Sequence, residues 1–171
     1  FYIKFFSLKY DNLNIYNTLL VLSVFKSMSV QINYKIVSSK NKSSNLVFFV
    51  DENFNITLLK KFISSREYSF ISDLLRINDK KKEIIAYDIS SKKKIILASL
   101  KKKMTSSETE GLGAKFYDIF KDIKQNHFDI NSESAKNTPK NFIGHFLHGI
   151  KLKSYSFEKY KSKKEKKSLI I

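Results

Sequence analysis

The chain has no cysteine and no tryptophan, and only one proline and four glycines among its 171 residues. Without cysteine there is no disulfide framework, no thiolate nucleophile and no thiolate metal ligand, a composition that fits a reducing cytoplasm. A single proline and sparse glycine exclude collagen-like, linker-rich and tight-turn all-β designs. Arginine is nearly missing too, with Arg66 and Arg76 alone against a large excess of lysine. Base-edge recognition and bidentate phosphate binding rely on the arginine fork, so this scarcity speaks against a dedicated sequence reader. The early apolar run Leu19-Leu-Val-Leu-Ser-Val-Phe25 is too short to span a bilayer, and no Ala-x-Ala-like cleavage site follows it. No membrane partner is expected.

What the chain does have is a 42% hydrophobic content, enough to core one ordinary domain, and a formal net charge of +16. The skew toward Lys, Asn, Ile, Phe and Tyr matches an AT-rich coding sequence, which multiplies lysine irrespective of function. Even so, the charge supports one reading as a small basic nucleic-acid-binding protein. In it, Lys159-Tyr-Lys-Ser-Lys-Lys-Glu-Lys-Lys167 grips phosphate while Tyr155, Phe157 and Tyr160 stack on bases. An exposed basic linker is the other reading of the same tract. The chain opens on Phe1 and its first methionine is Met28, so residues 1–27 are expected to be an upstream extension.

From Met28 the pattern is regular. Val30, Ile32, Tyr34 and Ile36 alternate with polar residues and predict a half-buried strand, followed by a polar turn over 38–44. Asn45-Leu-Val-Phe-Phe-Val50, stopped by Asp51-Glu52-Asn53, predicts a central strand buried on both faces. The stretch 53–65 is ambiguous, with Leu58, Leu59 and Phe62 hinting at a short helix. Phe70, Ile71, Leu74 and Leu75 predict a helix over 66–77, and the runs 83–89 and 94–100 predict a hairpin. Thr105-Ser-Ser-Glu108 has capping-box form and predicts a helix whose buried face is Leu112, Phe116, Ile119, Phe120 and Ile123. Phe128-Asp-Ile130 predicts a short strand. Thr138 followed by Pro139 predicts the start of a last helix buried through Phe142, Ile143, Phe146, Leu147 and Ile150. Strands interleaved with helices imply an α/β layered domain.

Candidate chemistry is thin. His145 and His148 stand three apart on the last helix, a spacing that can bring two imidazoles to one metal. No carboxylate flanks them at Glu-x-x-His spacing, and His127 is the remaining histidine, so polar edges of a packed helix are the better reading. Gly111-Leu-Gly113 lacks the rest of a phosphate-loop pattern, and small residues that let the helix approach the sheet explain it better. No Gly-x-Ser-x-Gly elbow occurs. Asp51, Glu52, Glu108, Glu110, Asp118 and Asp122 read as caps or solubilising groups. No catalytic, cofactor-binding or metal-binding residue is assigned.

The segment Gly149-Ile-Lys-Leu-Lys-Ser-Tyr-Ser-Phe-Glu-Lys-Tyr-Lys-Ser-Lys-Lys164 resembles a stretch of the leucyl aminopeptidase (cytosol aminopeptidase) family, where the N-terminal domain hands over to the catalytic one. The element order, including Leu112-Gly-Ala-Lys115 on a helix, is similar to that whole N-terminal domain over Met28 to about Lys167. Ala98-Ser-Leu-Lys101 departs from the glycine-rich turn of many members. The resemblance implies a macro-like three-layer α/β/α sandwich with a mixed sheet over residues 28–158, and a basic linker over 159–171. It also implies a catalytic domain beyond it that binds two divalent metal ions, zinc or manganese, and releases N-terminal amino acids from peptides. The family's Asn-Thr-Asp-Ala-Glu-Gly-Arg metal motif has no counterpart here. Homo-hexamers, a cytoplasmic location and, in some members, DNA binding are further implications, whereas a macro-like ligand pocket is disfavoured for want of a glycine-rich phosphate loop.

Overall fold

A computed structural model of the chain describes residues 30–33, 45–78, 82–123, 127–135, 138–139, 141–155 and 169–170. The expected extension over 1–27, the turn over 38–44, and the linker apart from Leu169 and Ile170 lie outside the described residues. The continuous apolar run forms β2 (Asn45–Asp51). It lies inside a four-stranded sheet of order β3-β4-β2-β5, built with β3 (Ile84–Ser90), β4 (Lys93–Leu100) and β5 (Phe128–Asn131). β2 runs parallel to both β4 and β5, while β3 closes the expected hairpin onto β4. Strand side chains alternate between faces, so Val47 and Phe49 enter one core and Phe48 and Val50 the other. Both faces are covered, which is why the run carries no polar alternation.

On the second of these faces lie a 3-10 helix, Thr57–Lys61, and α1 (Ser65–Ile77), whose Leu59, Ile71 and Leu75 pack against Phe48, Ile95 and Leu97. Ser64 caps α1 in a capping box: its hydroxyl accepts the Glu67 amide, and the Glu67 carboxylate accepts the Ser64 amide at 2.9 Å. Glu67 also pairs with Lys93 at the start of β4, so one carboxylate joins the helix to the sheet. The opposite face carries α2 (Ser106–Phe120) and α3 (Phe142–Ser154). The expected Thr105–Glu108 capping box is present. The fold is thus an α/β/α sandwich around a mixed sheet.

Six phenylalanines fill the α2/α3 side. Phe49 meets Phe142 and Phe146 edge-on at 5.1 and 5.2 Å between ring centroids, and Phe116 meets Phe128 likewise at 5.3 Å. Burying a side chain of this size contributes about 1.5–3 kcal/mol, and edge-on pairing adds about 0.5–1.5 more. The helices themselves touch through backbone. A Cβ on Gly113 would stand 2.1 Å from the Phe146 carbonyl oxygen, and one on Gly149 would stand 2.0 Å from that of Glu110. Small residues therefore bring α2 to α3, not to the sheet as the sequence suggested.

Other expectations are corrected. The last helix starts at Phe142, not after Thr138: the Thr138 hydroxyl donates to the Ala135 carbonyl, and the Pro139 carbonyl accepts the Phe142 amide in a turn of its own. Ile119 is 53% exposed, because the inward stripe of α2 runs through Leu112, Phe116 and Phe120. Ala98 to Leu100 belongs to β4, with Ala98 and Leu100 buried, so no turn forms there. Within the first expected strand, only β1 (Val30–Gln31) is described as strand. It pairs in parallel with β6 (Leu169–Ile170) in a separate two-stranded sheet. Val30 is buried against the α2/α3 core. β2 ends its pairing with β5 at Phe48, and the next amide on that side, Phe49 N, donates to Ser134 Oγ at 2.8 Å. That hydroxyl in turn donates to the Asn131 carbonyl at 2.7 Å, so a buried serine continues the ladder where the strand stops.

The crossing predicts opposite outcomes for two glycines on one helix. Gly149→Ala must push the backbones apart and should cost about 1–3 kcal/mol in urea unfolding. Gly144→Ala, with nothing within 4 Å of the added Cβ, should instead stabilise by up to about 1 kcal/mol through helix propensity. Glu67 predicts a pH dependence. Burial raises its pKa, but the Lys93 ammonium and the Ser64 amide and hydroxyl outweigh that and hold it below the ordinary carboxylate value. A depressed carboxyl stabilises the fold above its unfolded pKa and loses that contribution as pH falls through the folded one. Glu67→Gln should therefore cost about 1 kcal/mol at pH 7 and little at pH 3, read as the separation of the two urea transitions.

Candidate functional site

In an open α/β sheet, ligands gather beyond the carboxyl ends of strands, where neighbouring connections leave for opposite faces. That point lies between β2 and β4: the chain leaves β2 toward the 3-10 helix and α1, and leaves β4 toward α2 on the other face. Asp51 ends β2, and its Oδ1 accepts the amides of Asn53 at 3.1 Å and Asn55 at 2.8 Å. The loop folds back on itself, carrying Phe54 into the left-handed region at φ 55° with its ring buried. A non-glycine residue there costs on the order of 1 kcal/mol, less than burying the ring contributes.

The facing loop is held from the same side. Glu52 Oε1 accepts the Lys102 amide at 2.8 Å, and the Ser99 hydroxyl donates to the Asp51 carbonyl at 3.3 Å. At the start of α2, Glu108 accepts the Thr105 amide at 2.9 Å. The Thr105 amide and hydroxyl, with the nearby Lys101 ammonium, hold the Glu108 carboxyl below the ordinary range. Two amides of this crevice, those of Lys102 and Thr105, are bound to the chain's own carboxylates. Glu52 and Glu108 thus both take the capping side of the cap-or-solubiliser roles expected of them.

A second candidate lies between the first turns of α2 and α3. A shallow pocket of about 180 Å³ is lined by Met104, Ser106, Thr109, Pro139, Asn141, Phe142 and His145. Thr109 is buried, and its hydroxyl is spent on the Thr105 carbonyl at 2.9 Å. His145 Nδ1 lies 3.3 Å from Glu110 Oε1, and His148 Nδ1 lies 3.0 Å from the same oxygen. The structure therefore brings the two nominated histidines together, on a carboxylate that sequence spacing had not linked to them. His127 is placed at the entrance to β5, where its carbonyl accepts the Asn45 side-chain amide at 2.9 Å. Gly111 and Gly113 sit inside α2 and form no phosphate loop. Among the described residues, no group of three or more His, Asp or Glu side chains is arranged to hold a metal ion. No described helix is long and apolar enough to cross a membrane.

No family model matches the chain, and no curated protein matches it in sequence. Among solved structures, it is similar to a variant of tomato leucine aminopeptidase, at a TM-score of 0.58 and 17% identity. The likeness covers 84% of this chain and 32% of that one, so the chain spans about a third of the length of the structure it matches. At this identity the comparison shows a shared fold, the α/β/α sandwich described above.

The self-occupied crevice makes a direct prediction. Titration with ADP-ribose, followed by calorimetry, should give no saturable heat, since the Lys102 amide is already committed to Glu52. A saturable exotherm would mean that Glu52 yields the site.

Proposed function

We propose that this chain is the N-terminal, non-catalytic domain of a metal-dependent leucyl aminopeptidase. The observation that carries this reading is the structural likeness of 84% of the chain to about a third of a leucine aminopeptidase structure. The Tyr155-x-Phe-x-Lys-Tyr-Lys161 segment directly after α3 adds to it. On this reading, release of N-terminal amino acids from peptides belongs to a further domain that binds two zinc or manganese ions. This domain supports the assembly of a cytoplasmic homo-hexamer. Its own residues shape the scaffold: the Gly113/Gly149 crossing fixes α2 against α3, and Glu52 and Glu108 each bind a backbone amide beyond the strand ends.

The test is an assay of the chain alone with a leucine-linked chromogenic substrate and added Mn²⁺ or Zn²⁺. No turnover is expected, and chelator-sensitive turnover that survives purification would overturn the reading. Sequencing the coding region past Ile171 supplies the positive arm, in which an open frame encoding the metal-ligand motif is the expected result. The nucleic-acid reading rests on the net charge of +16. It would replace the first if DNA affinity fell steeply with salt and vanished on neutralising Lys159 to Lys167.

A further inference from the structure

Glu110 projects from α2 between two histidines of α3, and one of its oxygens, Oε1, lies within hydrogen-bond distance of both Nδ1 atoms. Beside these side chains the two helices meet as bare backbone, with Gly149 against the Glu110 carbonyl. The side chains of Glu110, His145 and His148 are 31, 34 and 55% exposed, so protons reach all three from solvent. We propose that Glu110, His145 and His148 form a clamp on the α2–α3 crossing that holds while the shared carboxylate is ionised and loosens when Glu110 takes up a proton.

The chemistry follows from which partners are charged. With the carboxylate ionised and the rings neutral, each contact is a hydrogen bond with one charged partner. A proton on the carboxyl removes that charge and one of its free acceptor positions, and bonds without a charged partner are weaker. The link is visible from the acid: hydrogen bonds from His148 and His145 hold the Glu110 carboxyl below its ordinary range. A carboxyl so depressed stabilises the fold above its unfolded pKa and loses that contribution as pH falls through the folded one.

Among the described residues, several charges on neighbouring elements have other partners. Glu108 is held by Thr105 and Lys101, Asp118 by Lys153 and Lys121, and Lys115 by Glu83. Residues 30–33, in β1 and just after it on the far side of α3, carry no titratable group. Lys151, three residues beyond His148, is a further cation on α3. Because His145 lines the pocket beside α2, the clamp also fixes the one imidazole on that wall.

The test is a double-mutant cycle on the full chain by urea unfolding at pH 7.0 and pH 3.0. It combines Glu110→Gln with the pair His145→Gln and His148→Gln. The coupling between the two sides, expressed as a factor on the unfolding equilibrium constant, should be at least about threefold larger at pH 7.0. Equal coupling at the two pH values, or none at either, would overturn the proposal. If the histidine pair fails to fold, His148→Gln alone closes the cycle with the same two outcomes.

Discussion

Two helix backbones pass each other at Gly113 and Gly149 with no side chain between them, and the rest of that side of the molecule is arranged around the contact. A methyl group at either glycine would stand within about 2 Å of a carbonyl oxygen, far inside van der Waals contact. This approach lets Phe116 from α2 and Phe146 from α3 face each other at 5.7 Å while both remain on the sheet. It also decides what meets above the crossing. Glu110 is one turn before Gly113, and His145 and His148 lie one turn and one residue before Gly149, so the carboxylate and the imidazoles meet because the backbones do.

Much of this was legible in the residues, and the remainder was hidden for identifiable reasons. Asn45 to Val50 announced a central strand because burial on both faces removes the need for polar alternation. Thr105 to Glu108 announced a helix start because both halves of a capping box lie within four residues. The same signal stood at Ser64 to Glu67 and was passed over beside an ambiguous stretch, although it fixes α1 equally well. Ser134, Glu52 and Glu110 could not be read locally, since their partners lie 85, 50 and at least 35 residues away in sequence. Thr138-Pro139 misled because the Thr138 hydroxyl is bound to the Ala135 carbonyl and the Pro139 carbonyl to the Phe142 amide before the helix begins.

The crevice at the strand ends is the place where α/β domains keep their ligands, and here the Lys102 and Thr105 amides are held by the protein's own acids. Among the described residues, the ordered side-chain chemistry includes caps, ion pairs, a carboxylate shared by two imidazoles and a ladder-completing serine.

Ser134 has a consequence for how the protein meets its neighbours in a crowded solution. β5 is an edge strand of only four residues, which would leave the upper half of β2 with free backbone donors on that side. An open amide on a central, strongly apolar strand is a template on which another chain can add a strand, the first step of edge-to-edge aggregation. By taking the Phe49 amide into a buried hydroxyl, Ser134 removes that donor without lengthening the edge. One serine thus takes up the first β2 amide beyond the reach of β5.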